Sequence, residues 1–98
     1  MTLTRGQFLT YDFNRMVVMF TMTDGQTDVP CAISTTAMDD LDQSRGAKSP
    51  VEREAQFMKL RDQIESRAAK KDLEVGREGH PPGIILRSVD FTLSGGRG

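Results

Sequence analysis

Arg15-Met16-Val17-Val18-Met19-Phe20-Thr21-Met22-Thr23-Asp24-Gly25-Gln26-Thr27-Asp28-Val29-Pro30-Cys31-Ala32-Ile33 is the stretch from which the rest of this 98-residue chain can be read. Two runs rich in β-formers flank Asp24-Gly25, a dipeptide that tolerates the positive φ angles of a two-residue type I′ turn. With Thr23 and Gln26 at its shoulders, that turn predicts Phe20 opposite Val29, Val18 opposite Cys31 and Met16 opposite Ile33. Side chains alternate along a strand, so these six apolar residues share one face. The reverse face is mixed, with Val17, Met19 and Thr21 against Ala32, Pro30 and Asp28. Pro30 has no amide hydrogen to give to a ladder, which points to an edge strand or to a non-bonded position; the second strand is expected to lie outside the first. Upstream, Phe8 to Tyr11 reads as a further short strand that Asp12-Phe13-Asn14 turns into the hairpin.

Downstream, Ser34 stands where it can cap a helix beginning at Thr35. Ala37, Met38 and Leu41 recur at helical spacing and predict about two turns. Asp39, Asp40 and Asp42 put negative charge at the C-terminal end, where the helix dipole disfavours it, so this helix should stop early. Ser49-Pro50-Val51-Glu52 opens a second helix: the serine caps, the proline loses no amide bond at the first helical position, and the glutamate can return a bond to the cap. That helix is expected to run to about Lys71. Phe57, Leu60, Ile64 and Ala68 form a stripe suited to covering the hairpin. Val51, Ala55, Met58 and Ala69 lie roughly opposite and need either the short helix or another subunit, local packing being the commoner use.

Gly76-Arg77-Glu78-Gly79-His80-Pro81-Pro82-Gly83 breaks any helix and predicts an exposed loop. Ile84 to Phe91 reads as a final strand, and Ser94 to Gly98 as a disordered tail. Together these elements predict one α+β domain over residues 1–93. Its architecture is a small two-layer sandwich, with a mostly antiparallel sheet of three or four strands and both helices on one face.

The chain carries 13 Lys and Arg against 14 Asp and Glu, a net charge of −1, and the balance holds in every region. No concentrated cationic surface draws in nucleic acid or an anionic membrane, so nucleic-acid binding is not expected. No apolar run approaches the roughly 18 residues of a membrane span, and Met1 to Gly6 contains no apolar signal core. Cys31 is the sole cysteine, which excludes an internal disulfide and a thiolate cage; a small domain without such staples reads as cytoplasmic. Core packing is the expected role of its thiol.

Arg61 and Glu65, four apart on one helix face, form the candidate site for a ligand or partner. A guanidinium positioned by a carboxylate can recognise an anion; the same pair can instead edge the core, the arginine stem covering apolar surface. Asp40-Leu41-Asp42-Gln43-Ser44 opens like a calcium loop, but Arg45 stands where glycine is needed and Val51 where a bidentate glutamate is needed. Gly76-Arg77-Glu78-Gly79 matches the GxxG of single-strand-binding loops, yet it should join a helix to a strand and Glu78 repels phosphate. His80 has no second histidine to share a metal with. The chain contains no nucleophile elbow, phosphate loop or HExxH pattern. No catalytic residue, metal ligand or cofactor is therefore expected. The sequence points to a non-catalytic interaction or accessory module, with a protein partner or self-association as its mode of action. The alternatives are a nucleic-acid or regulatory binder, using Arg53, Arg61, Arg67, Lys70 and Lys71, and a small-ligand enzyme whose reactive cluster is Cys31, Arg61 and Glu65.

Val29-Pro30-Cys31-Ala32-Ile33-Ser34, followed by an alanine-containing short helix, resembles the family catalogued as domain of unknown function 1488. Phe57, Arg61, Ile64, Glu65 and Ala68 continue the resemblance along the long helix, and Asp90 in the closing segment extends it. It runs from about Tyr11 to Phe91. The resemblance implies a short bacterial protein with a small α+β fold. It brings no established activity, cofactor or partner, and so transfers no catalytic residue.

Overall fold

The computed structural model describes residues 3–43, 48–76 and 83–91. In chain order the elements are β1 (Thr4–Asp12), β2 (Val17–Thr23), β3 (Asp28–Ser34), α1 (Thr35–Asp42), α2 (Pro50–Val75) and β4 (Ile84–Leu86). The four strands make one sheet in the order β1-β2-β3-β4, antiparallel except for β4, which runs parallel to β3. Both helices pack on one side, which is the α+β sandwich that the sequence predicts.

The hairpin of β2 and β3 is present with a longer loop than expected. Thr23 faces Asp28, so Phe20 lies opposite Cys31, Val18 opposite Ile33 and Met22 opposite Val29. The Asp24 carboxylate closes the loop, accepting the amides of Gln26 at 2.9 Å and Thr27 at 2.8 Å, while the Thr23 hydroxyl accepts that of Gly25 at 3.1 Å. These bonds require Gln26 and Thr27 inside the loop and displace the pairing by two residues from the expected register. A slip of two preserves alternation, so the same face is buried. Met22 takes the place expected for Met16, which instead sits in the β1–β2 turn at φ 57.

Contrary to expectation, β3 is interior, with β4 along its outer side. The Pro30 carbonyl accepts the Gly83 amide at 2.9 Å. A strand residue points its amide and carbonyl to the same side, so the missing donor faces the mouth of β4. The parallel pairing begins one step later, at Cys31 and Ile84, and the proline costs the ladder nothing. At the opposite edge β1 is longer than Phe8–Tyr11 and carries two irregularities, between Arg5 and Phe8 and between Phe8 and Thr10. Gly6 occupies the first. A Cβ there would lie 2.5 Å from the Thr21 carbonyl oxygen, so only glycine permits this approach of the two backbones.

Phe57 of α2 sits at the centre of the core, its ring 5.1 Å from that of Phe20 and 5.6 Å from that of Phe8. Leu60, Ile64 and Ala68 extend the buried stripe, and Ile84 and Leu86 complete it from β4. Each large side chain so buried contributes about 1.5–3 kcal/mol. Ser34 caps α1 through the Ala37 amide, 3.1 Å. At the start of α2 the Ser49 hydroxyl accepts the Glu52 amide at 3.2 Å, and the Ser49 amide donates to the Glu52 carboxylate at 2.7 Å. That backbone donor, helped by the serine side chain, holds the Glu52 carboxyl below its ordinary range. The helix continues past Lys71 to Val75, ending at Gly76 with φ 77. The Lys71 ammonium leaves the helix end and donates to the Ile85 carbonyl at 2.6 Å and to Asp90 at 3.1 Å.

The second stripe of α2 is not covered by α1. Val51 is 77% exposed and Met58 43%, Ala55 is exposed, and only Ala69 is buried. The helix turns Arg53 and Gln56 toward α1 instead. Arg53 Nη1 donates to Asp39 at 2.8 Å and to the Gln56 side chain at 2.7 Å, and Gln56 Nε2 donates to Asp39 at 2.9 Å. Lys48 reaches Asp39 and Lys59 reaches Asp42. The acids that load the end of α1 need cations and amides, and that demand outweighs covering Val51, Ala55 and Met58.

The final strand also stops earlier than expected. After Leu86, Ser88–Phe91 forms one helical turn, in which the Asp90 carboxylate accepts the Arg87 amide at 2.7 Å and Arg67 Nε donates to the Asp90 carbonyl at 2.7 Å. The expectations for the Gly76–Gly83 loop, its GxxG and His80, and for the 94–98 tail, fall largely or wholly outside the described residues.

Candidate functional site

One face of the sheet is covered by α2; no described element packs across the other. On that second face Met19, Ala32 and Ile85 stand side by side across β2, β3 and β4, and Val17 lies opposite Ser34 in the next row. A methyl group between two longer side chains leaves a trough along β3. Val89 from the Ser88–Phe91 turn adds an apolar wall, half exposed, and Arg15, Arg87 and Ser88 complete the lining. The groove encloses about 580 Å³, within the span of small-molecule sites. No carboxylate lines it, although acids outnumber bases in the chain. Arg15 makes a long contact with Asp12, 3.7 Å, and its side chain is 69% exposed. The exposed Arg87 side chain has no partner among the described residues. Ser88 donates to Asp40 at 2.8 Å.

Arg61 and Glu65 are brought together as the spacing predicts, Arg61 Nε donating to Glu65 at 2.7 Å. The arginine also donates through Nη2 to the Gly6 carbonyl at 2.9 Å, and its guanidinium lies 5.6 Å from the Phe57 ring centre. The second Glu65 oxygen accepts from Arg5 Nε at 2.8 Å, and Arg5 Nη2 reaches Asp62 at 2.7 Å. The Glu65 bond is the main influence raising the Arg5 guanidinium above its already high value. Two arginines and two acids thus tie α2 to the irregular start of β1.

The other sequence-derived clusters are dispersed. Cys31 is fully buried, its thiol 3.4 Å from the Val29 carbonyl, and β2 separates its strand from β1, to which Arg61 and Glu65 attach. Of the basic set, Arg53 is buried against Asp39, Arg61 is held by Glu65, Arg67 by Asp90 and Glu74, and Lys71 by Asp90; Lys70 is exposed. Asp40 and Asp42 are helical, and no group of three or more His, Cys, Asp or Glu that could hold a metal occurs among the described residues. No helix among those residues is long and apolar enough to cross a membrane. The groove was not legible in the sequence, because its floor needs β4 beside β3. The one available signal was the apolar content of a face also holding Thr21 and Asp28.

The sequence matches the family described as "Protein of unknown function (DUF1488)" over residues 6–81. The chain belongs to that family. A crystal structure of a DUF1488-family protein of unknown function from Shewanella loihica PV-4 is similar at a TM-score of 0.74 and 18% identity. The similarity covers 87% of this chain and 91% of that one, and it shows a shared fold. No curated protein matches the sequence.

Proposed function

We propose that this chain is a non-catalytic interaction module that works by binding at the uncovered face of its sheet. The observation that carries this is the groove over Met19, Ala32 and Ile85: an apolar concavity of about 580 Å³ with a few polar groups at its rim has the size and lining of a small-molecule site. The side chains best suited to chemistry are engaged in holding the fold, Cys31 inside the core and Arg61 with Glu65 in the clamp on β1. A lone buried thiol fits a reducing compartment such as the cytoplasm. The nucleic-acid alternative has less support, since four of its five cations already have acidic partners.

Titrating isotopically labelled protein with decanol, an uncharged apolar probe, tests this. Amide signals of Val17, Met19, Ala32 and Ile85 should shift saturably, and Ala32→Leu should abolish the response by filling the trough. Arg61→Lys should lower the melting temperature and leave decanol binding alone. Shifts confined to the Val51–Met58 stripe of α2, or none at all, would remove the proposal.

A further inference from the structure

We infer that the groove takes a small amphipathic anion, an aliphatic or aryl carboxylate whose apolar body lies along β3 and whose head meets Arg15 and Arg87. This rests on the proposed use of the sheet face and adds the identity of the occupant. Met19 and Ile85 form the two walls and Ala32 the floor, a channel that offers an apolar chain contact on three sides. The charge is at one end. Arg15 precedes β2 and Arg87 follows β4, and the cross-strand row of Val17 and Ser34 lies at that same end of the sheet. Both arginines line the groove while no aspartate or glutamate does. The Asp12 carboxylate accepts the Arg15 amide at 3.1 Å and approaches its guanidinium at 3.7 Å, leaving most of the fork to solvent, and Arg87 has no side-chain partner among the described residues. A planar guanidinium offers paired donors that match a carboxylate.

The second groove differs in charge. That one, beside Leu3, Met22 and Ala69, is lined by Arg5 and Lys70 but also by Glu65, and Arg5 is already bonded to that glutamate. Size argues against a second copy of the chain as the occupant of the first groove. Three strands about 4.8 Å apart make a floor roughly 10 Å across, whereas a standard protein interface buries about 800 Å² on each partner. A cavity of about 580 Å³ fits a small molecule instead.

The probes are decanoate, decanol and decyltrimethylammonium, which share a chain and differ in head group, followed by calorimetry and by the amide signals of Met19, Ala32 and Ile85. Decanoate should bind about tenfold more tightly than decanol, as a charge-assisted bond warrants, and the ammonium compound should bind more weakly than either. Arg87→Gln should bring decanoate down to the level of decanol while leaving decanol unchanged, and raising the salt concentration should act in the same direction. Equal binding of all three probes at this face overturns the anion and leaves the sheet face as a binding surface; no binding by any of them overturns both. A dimer by light scattering that Met19→Asp dissociates would assign the face to a second copy and overturn the small-molecule occupant.

Discussion

Asp39 shows how one residue can set the acid limit of this fold. Burial alone would raise its carboxyl. Hydrogen bonds from Arg53, Gln56 and Lys48, with the Arg53 charge, overcome that and bring it from 3.8 to about 2. A carboxyl depressed in the folded state stabilises it fully above the unfolded value, and the contribution is lost as pH falls from about 4 to 2. It amounts to about 2 kcal/mol at neutral pH. Urea titrations of the wild type and of Asp39→Asn should differ by that amount at pH 7 and converge near pH 2; curves that stay parallel would count against it. Gly6 sets a steric limit at the same scale. Gly6→Ala puts a methyl group against the Thr21 carbonyl and should cost about 1–3 kcal/mol, read as a lower urea midpoint. Neither effect was visible in the sequence. Asp39 could be read only as unfavourable charge at a helix end, because its partners Arg53 and Gln56 come from α2, and Gly6 acquires its meaning only when β1 pairs with β2.

Among the elements, what was legible was what depends on neighbours in sequence. The Ser49 cap is made as the Ser-Pro-x-Glu pattern predicts, so Ser49→Ala should lower stability by about 1 kcal/mol, measurable as a fall in melting temperature. The hairpin faces are as expected except at Met16, and its register is not. Period-two alternation survives a two-residue slip, whereas register depends on loop length, and here the Asp24 carboxylate chose a longer loop than the dipeptide Asp24-Gly25 alone prefers. The first half of β1 is not legible in the sequence because its irregularities interrupt alternation. The outward stripe of α2 stays uncovered for a different reason. Hydrophobic spacing said which side chains wanted cover, but the acids of α1 decided which side of α2 faced it. The groove lay furthest out of reach, since it combines two hairpin strands with one that arrives after both helices.

For the whole molecule, that late arrival has a consequence of its own. Cys31 and Ile84 are adjacent in space and separated in sequence by both helices, and β4 has only three residues in the ladder. The meander β1-β2-β3 closes short loops, whereas β4 pairs with β3 across the length of both helices and is tied to α2 through the Lys71 bond to the Ile85 carbonyl. In native-state hydrogen exchange the Leu86 amide should therefore open at lower free energy than those of Val18 and Phe20. A molecule lodged between Met19 and Ile85 would join the local meander to the strand paired at longest range. Its grip would be felt as slower fraying at the tail end of the fold, so that the least secure strand becomes the one that reports whether the protein is occupied.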